Sequence, residues 1–277
     1  MNRTLKTLAA IGAAAMLAGC QSAPPAADNA KKVEILWLGQ SAFRITSPGG
    51  KVIVIDPWLV RNPTTPAQYK DLAALGKVDV LLVTHGHLDH IADAPAIAKM
   101  NNIRLYAPGD LNATLGALNV LPGEQLPRFN KSGTVEPVPG IKVTAVRAEH
   151  SSVFAWTNPA TQKTEIHPGG EPVGYIVELE NGFRFWHMGD TGMFADMRLI
   201  ADYYKPDLIM IPIGGNFTFG PVPAAYATKE LIRAKAAIPM HYGANPLGRG
   251  TPAEFVEALG ASTTRVIALK PGEKAQF

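Results

Sequence analysis

One short run of residues constrains this chain more than any other feature: Thr84-His85-Gly86-His87-Leu88-Asp89-His90. The run follows Val78–Val83, a mainly apolar segment typical of a buried strand. Residues at i and i+2 of a strand face the same side, so His85 and His87 can share one metal ion. Asp89 and His90 then point towards an adjacent ion. Imidazole and carboxylate bind divalent metals such as Zn²⁺, so the run predicts half of a two-metal site.

The composition narrows the kinds of site and partner that we expect. The chain has one cysteine, Cys20, which excludes an intrachain disulfide and a zinc site built from thiolates. Any metal must therefore be held by histidine and carboxylate side chains. The formal net charge is +3 and there is no basic run, so we expect no nucleic-acid partner.

The N-terminal segment has the features of a targeting sequence. Arg3 and Lys6 precede Leu8–Leu17, an apolar run that is shorter than the roughly 20 residues a membrane-spanning helix needs. The following run, Leu17-Ala18-Gly19-Cys20, resembles the lipobox of bacterial lipoproteins, in which the cysteine is lipidated. The alternative is an ordinary secretory signal in which the cysteine is accidental.

These features predict three segments: a lipoprotein signal peptide over residues 1–20, a flexible tether over 21–32 and a folded domain over 33–277. We expect lipidation of Cys20 and contact with the membrane through this anchor only. The domain would face the periplasm or the cell exterior. Gln21 favours the outer membrane if the cell is Gram-negative.

Beyond residue 32, segments with strand periodicity and segments with helix periodicity alternate, and no long linker divides them. The simplest architecture is one α/β domain with helix, sheet, sheet and helix layers. The predicted strands are Val33–Leu38, Phe43–Thr46, Lys51–Ile55, Val78–Val83, Arg104–Ala107, Ile141–Ala148, Tyr175–Leu179, Phe183–His187, Leu208–Ile213, Ala237–Met240 and Val266–Leu269. The predicted helices are Asp93–Lys99, Asp110–Leu118, Met193–Tyr203, Ala224–Lys235 and Pro252–Leu259.

The motif His85-x-His87-x-Asp89-His90 after an apolar strand resembles the signature of the metallo-β-lactamase-fold hydrolase superfamily. Three further motifs look like its branch of ascorbate-6-phosphate lactonase-like proteins and uncharacterised metal-dependent hydrolases: Trp186–Thr191, Pro212–Thr218 and Pro239–Tyr242. N-acylphosphatidylethanolamine phospholipase D is a more distant relative. The resemblance covers the chain from Val33 onwards and implies the αββα four-layer sandwich of that superfamily.

Carried over by position, the resemblance implies a dinuclear centre with seven ligands. One metal would be held by His85, His87 and His150, the second by Asp89, His90 and His241, and Asp190 would bridge them. The two divalent ions would be Zn²⁺, although the same ligand types suit Mn²⁺ and Fe²⁺. A metal-bridging hydroxide would act as the nucleophile. Asp89 and Asp190 would be the catalytic carboxylates, with Asp89 also orienting that hydroxide.

Several other residues have both a functional and a purely structural interpretation. His187 either supports the metal site from outside the ligand set or is a packed core residue. Asp56 either orients a ligating histidine through a hydrogen bond or ends a strand. A stretch that contains Asn216, Phe217 and Phe219 is either a wall of the substrate pocket or a strand-to-helix loop. His167 lies in a loop-like insert, where a surface position is the default and a role near the substrate is the alternative.

The leading hypothesis is a metal-dependent hydrolase that cleaves an ester-like bond in an unidentified small molecule: a lactone, a carboxylic ester or a phosphodiester. A membrane-tethered phospholipase-like phosphodiesterase is one alternative, and a non-catalytic metal- or ligand-binding lipoprotein is another. Cleavage of β-lactams is disfavoured, because the resembling β-lactamases lack a bridging carboxylate at the position of Asp190. The sequence leaves the oligomeric state open.

Overall fold

The computed structural model describes residues 32–277. The predicted signal peptide, Cys20 and the tether up to residue 31 lie outside these described residues. Within 32–277, no helix combines the length and the apolar character needed to cross a membrane.

Two seven-stranded sheets and one separate hairpin account for the strands of the described part of the chain. In chain order, the strands are β1 (Glu34–Gly39), β2 (Ala42–Thr46), β3 (Val52–Ile55), β4 (Val80–Leu82), β5 (Leu105–Pro108), β6 (Arg128–Phe129), β7 (Thr134–Val138), β8 (Ile141–Arg147), β9 (Val153–Thr157), β10 (Thr164–Pro168), β11 (Val173–Glu178), β12 (Arg184–His187), β13 (Leu208–Pro212), β14 (Ala236–Met240), β15 (Arg265–Val266) and β16 (Lys274–Gln276).

The helices lie in the connections between strands. The α-helices are α1 (Leu88–Ile91), α2 (Ala94–Asn101), α3 (Gly109–Ala117), α4 (Met197–Tyr204), α5 (Pro221–Tyr226) and α6 (Pro252–Leu259). Short 3₁₀ helices span Ala67–Lys70, Leu72–Leu75 and Gly123–Gln125, and a π-helical segment, Ala227–Ile232, continues α5.

Each sheet changes from antiparallel to parallel pairing along its width. The first has the order β16-β1-β2-β3-β4-β5-β6 and is parallel from β3 to β6. The second has the order β15-β14-β13-β12-β11-β8-β7 and is parallel from β12 to β15. Parallel strands place their carboxyl ends at the same edge, so side chains that follow β4, β12 and β14 can meet.

The two sheets enclose one apolar core and carry helices on their outer faces. Trp37 and Phe43 from the first sheet and Tyr175 and Phe185 from the second belong to the buried cluster between them. A second cluster joins the outer face of the first sheet to α2 and α3, and a third joins the second sheet to α4, α5 and α6. This is the predicted αββα four-layer sandwich.

Local differences from the predicted elements have identifiable causes. The helix predicted from Met193 begins at Met197, after an irregular segment in which Phe194 is buried. The helix predicted from Ala224 begins at Pro221, because the fixed φ of proline suits the first helical turn. The predicted loop-like insert around His167 is wrong, since β10 pairs with β9 in an antiparallel hairpin.

Candidate metal centre

The seven predicted ligands all lie at or just beyond the carboxyl ends of strands. His85 and His87 lie in the connection from β4 to α1, and Asp89 and His90 lie within α1. The remaining three follow one strand each: His150 after β8, Asp190 after β12 and His241 after β14. The structure brings all seven side chains together, in two adjacent groups.

The first group, here termed the three-histidine cluster, consists of His85, His87 and His150. One ring nitrogen from each lies within 4.8 Å of the others. His85 Nε2 and His87 Nδ1 are 2.9 Å apart, and both rings lie 5.1 Å from the His150 ring. Gly86 allows this convergence, since a Cβ there would lie 2.8 Å from the carbonyl oxygen of Val153.

The second group, here termed the aspartate–histidine cluster, consists of Asp89, His90, Asp190 and His241. Asp190 lies at its centre, with Oδ2 2.9 Å from His241 Nε2 and 3.3 Å from His90 Nε2. The same oxygen lies 3.6 Å from Nε2 of His150 in the three-histidine cluster. Asp190 therefore contacts both groups, as a carboxylate that bridges two metal ions must.

The donor set fits divalent metal ions. Asp190 Oδ1 is buried and has no hydrogen-bond partner among the described residues. An unpaired buried polar atom is costly, and coordination of a cation would satisfy this oxygen. Imidazole nitrogens and carboxylate oxygens are the ligands that zinc and related divalent metals take.

Burial controls the protonation of the three-histidine cluster. Desolvation lowers the pKa of His85 well below its ordinary value, and the neighbouring His90 lowers it further. Burial is also the largest cause of the lowered pKa values of His87 and His150. The three imidazoles are therefore neutral near pH 7, the form in which histidine binds a metal.

Ion pairing controls the aspartate–histidine cluster instead. Burial alone would lower the pKa of His241, but the interactions with Asp190 and Asp89 together have the larger effect and raise that pKa to about 9. The pKa of His90 is raised well above its ordinary value in the same way, by Asp190, Asp56 and Asp89 against the effect of burial. Burial would raise the pKa of Asp190, but His241 and His90 hold it well below the usual range.

Asp56 fixes the orientation of a predicted ligand. This fully buried carboxylate accepts hydrogen bonds from Thr84 N and Oγ1, both at 2.7 Å, and from His90 Nδ1 at 2.8 Å. His90 must donate through Nδ1, which leaves its Nε2 facing the cluster. The predicted orienting role of Asp56 therefore has a matching geometry.

Thr84 extends the same network to the three-histidine cluster. Its hydroxyl donates to Asp56, so at 3.1 Å from His85 Nδ1 it can only accept a hydrogen bond from that ring. His85 is then left with a free Nε2 that faces His87. Sequence reasoning assigned no role to Thr84, although its position directly before His85 could have indicated one.

His187 contacts the backbone beside the centre rather than a ligand side chain. It is fully buried, its Nε2 donates to the carbonyl oxygen of Ser41 at 2.9 Å, and its Nδ1 accepts from Gly189 N at 3.3 Å. Burial is the largest cause of its lowered pKa, so the ring is neutral. The predicted support of the metal site by His187 stays a prediction, because its ring contacts backbone atoms of Ser41 and Gly189 rather than a ligand side chain.

Three residues of the centre have a left-handed backbone that is uncommon for residues other than glycine. The φ angles of Gln40, Asp56 and His241 are 51°, 48° and 59°. Each conformation costs free energy and persists only where the surroundings hold it in place, which is typical of functional sites. His241 N donates to the carbonyl oxygen of Gln40 at 3.0 Å, so two of these residues hold each other.

A cavity of about 410 Å³ opens onto both clusters. Its walls include six residues outside the predicted ligand set: Gln40, Trp58, Leu88, Ser151, Phe217 and Asn245. Gln40 is buried, and its Nε2 donates to Asp89 Oδ2 at 3.0 Å and lies 2.8 Å from His241 Nε2. Of these six residues, the sequence predicted only Phe217 as part of the substrate pocket. For Gln40, the turn at Gly39 and Gln40 at the end of β1 could have indicated a position near the site.

Two of the predicted pocket residues do not line this cavity. Phe219 is 3% exposed and packs in the core against α5, because a turn at Gly215 and Asn216 directs it inwards. Asn216 is exposed and lies outside the cavity wall. His167 also lies outside the wall, in β10, where its Nε2 is 3.3 Å from Glu165 Oε2 and its ring contacts Trp156 edge-on.

Comparison with known proteins gives consistent matches. Residues 51–242 match the family described as the beta-lactamase superfamily domain. A UPF0173 metal-dependent hydrolase of Polaromonas sp. is 66% identical over 277 residues, which is the full length of both chains. One of Cupriavidus necator is 55% identical and covers 95% of this chain and 96% of its own. Igni18, a metallo hydrolase from the archaeon Ignicoccus hospitalis, has 30% identity and a TM-score of 0.74, covering 89% of this chain and 99% of its own.

Proposed function

Since the chain belongs to the β-lactamase superfamily, as a metal-dependent hydrolase of the UPF0173 family, we propose that it uses two divalent metal ions to cleave an ester-like bond. The bond belongs to a lactone, a carboxylic ester or a phosphodiester of a small molecule. The contacts of Asp190 carry this proposal, because one carboxylate oxygen lies within 3.6 Å of histidine nitrogens from both clusters.

The proposed ligands follow the two clusters. His85, His87 and His150 would hold one ion, Asp89, His90 and His241 would hold the other, and Asp190 would be shared between them. A shared carboxylate offsets the repulsion between two dications that lie about 3.5–4 Å apart in two-metal hydrolases. Zn²⁺ is the proposed metal, because tetrahedral sites of histidine and carboxylate suit it.

When bound, the two ions polarise the scissile carbonyl or phosphoryl oxygen and activate water for attack. The chain's own residues position the reactants. The pKa of Asp89 lies below its usual range because His90 and His241 outweigh the effect of burial, so this carboxylate is ionised at neutral pH. Its side chain is 32% exposed towards the cavity, where it can accept a hydrogen bond from water. Gln40 Nε2 donates a hydrogen bond to Oδ2 of the same carboxylate.

Metal analysis combined with a substrate panel tests the proposal. The purified full chain should contain about two ions, as two-metal hydrolases do, and lose turnover on chelation. The panel contains a lactone, a carboxylic ester, a phosphodiester, a phospholipid and a β-lactam. Full metal content without turnover of any of these would instead support a non-catalytic binding protein. Phospholipid turnover that exceeds turnover of soluble esters would support the phospholipase-like alternative.

We also propose that the protein is anchored by lipid on Cys20 and faces the periplasm or the cell exterior. The support is the sequence of residues 1–32, with its short apolar run and lipobox. Changing Cys20→Ser should move the protein from the membrane fraction to the soluble fraction. Retention of the variant in the membrane fraction would contradict a lipid anchor at this residue.

A further inference from the structure

The residues that line the metal-site cavity differ in chemical character. Some are predicted ligands, whereas the other wall residues include three apolar side chains, Trp58, Leu88 and Phe217. The described residues that line this cavity include no lysine or arginine. We propose that the substrate is an uncharged ester or lactone with an apolar group that packs on these three side chains, rather than a phosphorylated compound. This inference rests on the proposed function and names its substrate class.

The two most exposed of the apolar side chains lie beside the proposed ligands. Leu88 is 53% exposed although it lies between His87 and Asp89 at the start of α1. Phe217 is 47% exposed in the connection from β13 to α5. Single exposed apolar residues are ordinary, but three apolar side chains that line one cavity together with polar groups match the composition of small-molecule sites. A substrate with an apolar substituent would cover them.

The charge around the cavity argues against a phosphorylated substrate. Sites that recognise phosphate use arginine or lysine to supply charge and several hydrogen-bond donors. The remaining wall residues, Gln40, Ser151 and Asn245, are polar but uncharged. They can bind the oxygens of a neutral ester, but they offer no charge to balance a phosphate group remote from the metal ions.

The two cations of an adjoining cavity are already paired with carboxylates. A neighbouring cavity shares His150 and contains Lys131 and Arg147. Lys131 forms an ion pair with Glu171. Arg147 contacts Glu149 at 2.8 Å and Asp196 at 3.1 Å. Three carboxylates face these two cations, so the neighbouring surface carries no surplus positive charge that could attract a phosphate.

Equilibrium binding measures the apolar contact without turnover. Hydroxamates chelate metal ions, so acetohydroxamate and octanohydroxamate differ only in the length of the chain that reaches the walls. Calorimetric titration of the metal-loaded full chain should give octanohydroxamate at least about tenfold higher affinity, since burial of apolar surface favours binding. Glucose 6-phosphate should not displace it.

Two cavity variants and one matched control test whether the proposed residues cause the higher affinity for octanohydroxamate. Phe217→Ala and Leu88→Ala should each reduce the ratio of the two affinities several-fold. Leu199→Ala should leave the ratio unchanged, because Leu199 is a leucine 68% exposed on α4 and outside this cavity. Equal affinities for the two hydroxamates, or displacement by glucose 6-phosphate, would overturn the inference.

Turnover separates failure of this inference from failure of the proposed function. The substrates are p-nitrophenyl acetate, p-nitrophenyl octanoate and bis(p-nitrophenyl) phosphate. We expect the highest kcat/KM with the octanoate. Metal-dependent turnover that is independent of chain length, or fastest with the phosphodiester, would overturn the inference and leave the proposed function standing. No turnover of any of the three, with the hydroxamate preference intact, would contradict the proposed function and leave the apolar binding surface supported.

Discussion

The two ligand clusters lie side by side and share Asp190, but opposite physical effects set their protonation. Burial lowers the pKa values in the three-histidine cluster, so its rings are neutral near pH 7. Carboxylates raise the pKa values of His90 and His241 in the other cluster, despite the same burial. In the metal-free protein the first cluster presents free nitrogen lone pairs, whereas the second contains protons that balance its carboxylates.

This difference in protonation explains how the centre can fold before a metal binds. Four ionisable groups in the aspartate–histidine cluster form an internally neutralised set, so their burial does not leave an isolated charge. Metal ions must displace the protons of that set, while the three-histidine cluster needs no such exchange. We therefore expect the two clusters to respond differently to substitution and to pH.

The largest effect should come from the residue that both clusters share. Asp190→Ala removes the carboxylate that contacts both groups, so metal content and turnover should both fall. The loss of turnover should exceed about 100-fold, because supporting residues alone account for about 10- to 100-fold in metal sites. His150→Ala should affect the three-histidine cluster alone and remove about one ion of the two that such centres hold. Metal analysis and initial rates measure both outcomes.

A matched control for these variants is His167→Ala. This histidine is one-quarter exposed in the β9–β10 hairpin and lies outside the cavity. Its replacement should change neither metal content nor turnover. Full retention of metal and activity by Asp190→Ala or His150→Ala would contradict the ligand assignment.

The second prediction concerns the buried hydrogen bonds beneath the ligands. Asp56→Asn weakens the acceptor of His90 and Thr84, and should lower metal affinity by about 10- to 100-fold. Thr84→Val removes the hydroxyl that contacts both His85 and Asp56, but Asp56 keeps its hydrogen bonds from Thr84 N and His90 Nδ1. Its effect on metal affinity should therefore be larger at the three-histidine cluster than at the aspartate–histidine cluster. Competition with a chromophoric chelator measures both affinities.

Asp79→Asn is the control for Asp56→Asn, because Asp79 also accepts a backbone hydrogen bond but lies at the opposite end of β4. It should destabilise the fold slightly without changing metal affinity. If Asp56→Asn and Asp79→Asn lowered metal affinity equally, the effect would come from fold stability, and the orienting role would be wrong.

The third prediction uses the protonation difference directly. His241 has a pKa of about 9 and is therefore protonated at pH 7 in the metal-free protein. Metal binding at its cluster should release protons, and affinity should increase with pH up to about 9. The three-histidine cluster should bind with little proton release over the same range. Calorimetry in two buffers of different ionisation enthalpy counts the protons, and equal release by both clusters would contradict the comparison.

Stability of the metal-free protein should change in the opposite direction with pH. A raised folded-state pKa means that His241 contributes stability fully below its unfolded value near 6.5 and loses it as pH rises through about 9. Metal-free protein should therefore unfold at lower denaturant concentration at pH 10 than at pH 7. His241→Gln should reduce this dependence.

The sequence predicts which seven side chains converge, because each follows a recognisable strand. The apolar segment before His85 becomes β4, and the alternating or apolar segments before His150, Asp190 and His241 become β8, β12 and β14. Strand ends of two packed sheets lie at a common edge, so order along the chain translates into proximity. The fold class follows from the same alternation of strands and helices.

The supporting role of Asp56 was predicted, but the side-chain contacts of Gln40 and the orientation of the loop phenylalanines depend on packing between distant segments. Gln40 lies 49 positions from Asp89 and 201 from His241, and no local pattern joins them. Phe217 and Phe219 are two residues apart in a loop, where neither helix nor strand periodicity shows which one faces the core. The β9–β10 hairpin was missed because its strands are largely exposed and lack a clear apolar alternation.

The smallest predicted effect tests whether Gln40 acts on one cluster only. Gln40→Met keeps a similar side-chain length but removes the hydrogen bond to Asp89 Oδ2, and a bond to a charged group contributes about 1.5–3 kcal/mol. Asp89 would then be less well oriented, so kcat should fall by roughly tenfold, which corresponds to about 1.4 kcal/mol. Metal affinity of the three-histidine cluster should not change, since Gln40 contacts only Asp89 and His241 among the proposed ligands. A loss of metal from the three-histidine cluster would show that Gln40 stabilises the whole edge of the sheets, and the two clusters would then be coupled through more than Asp190.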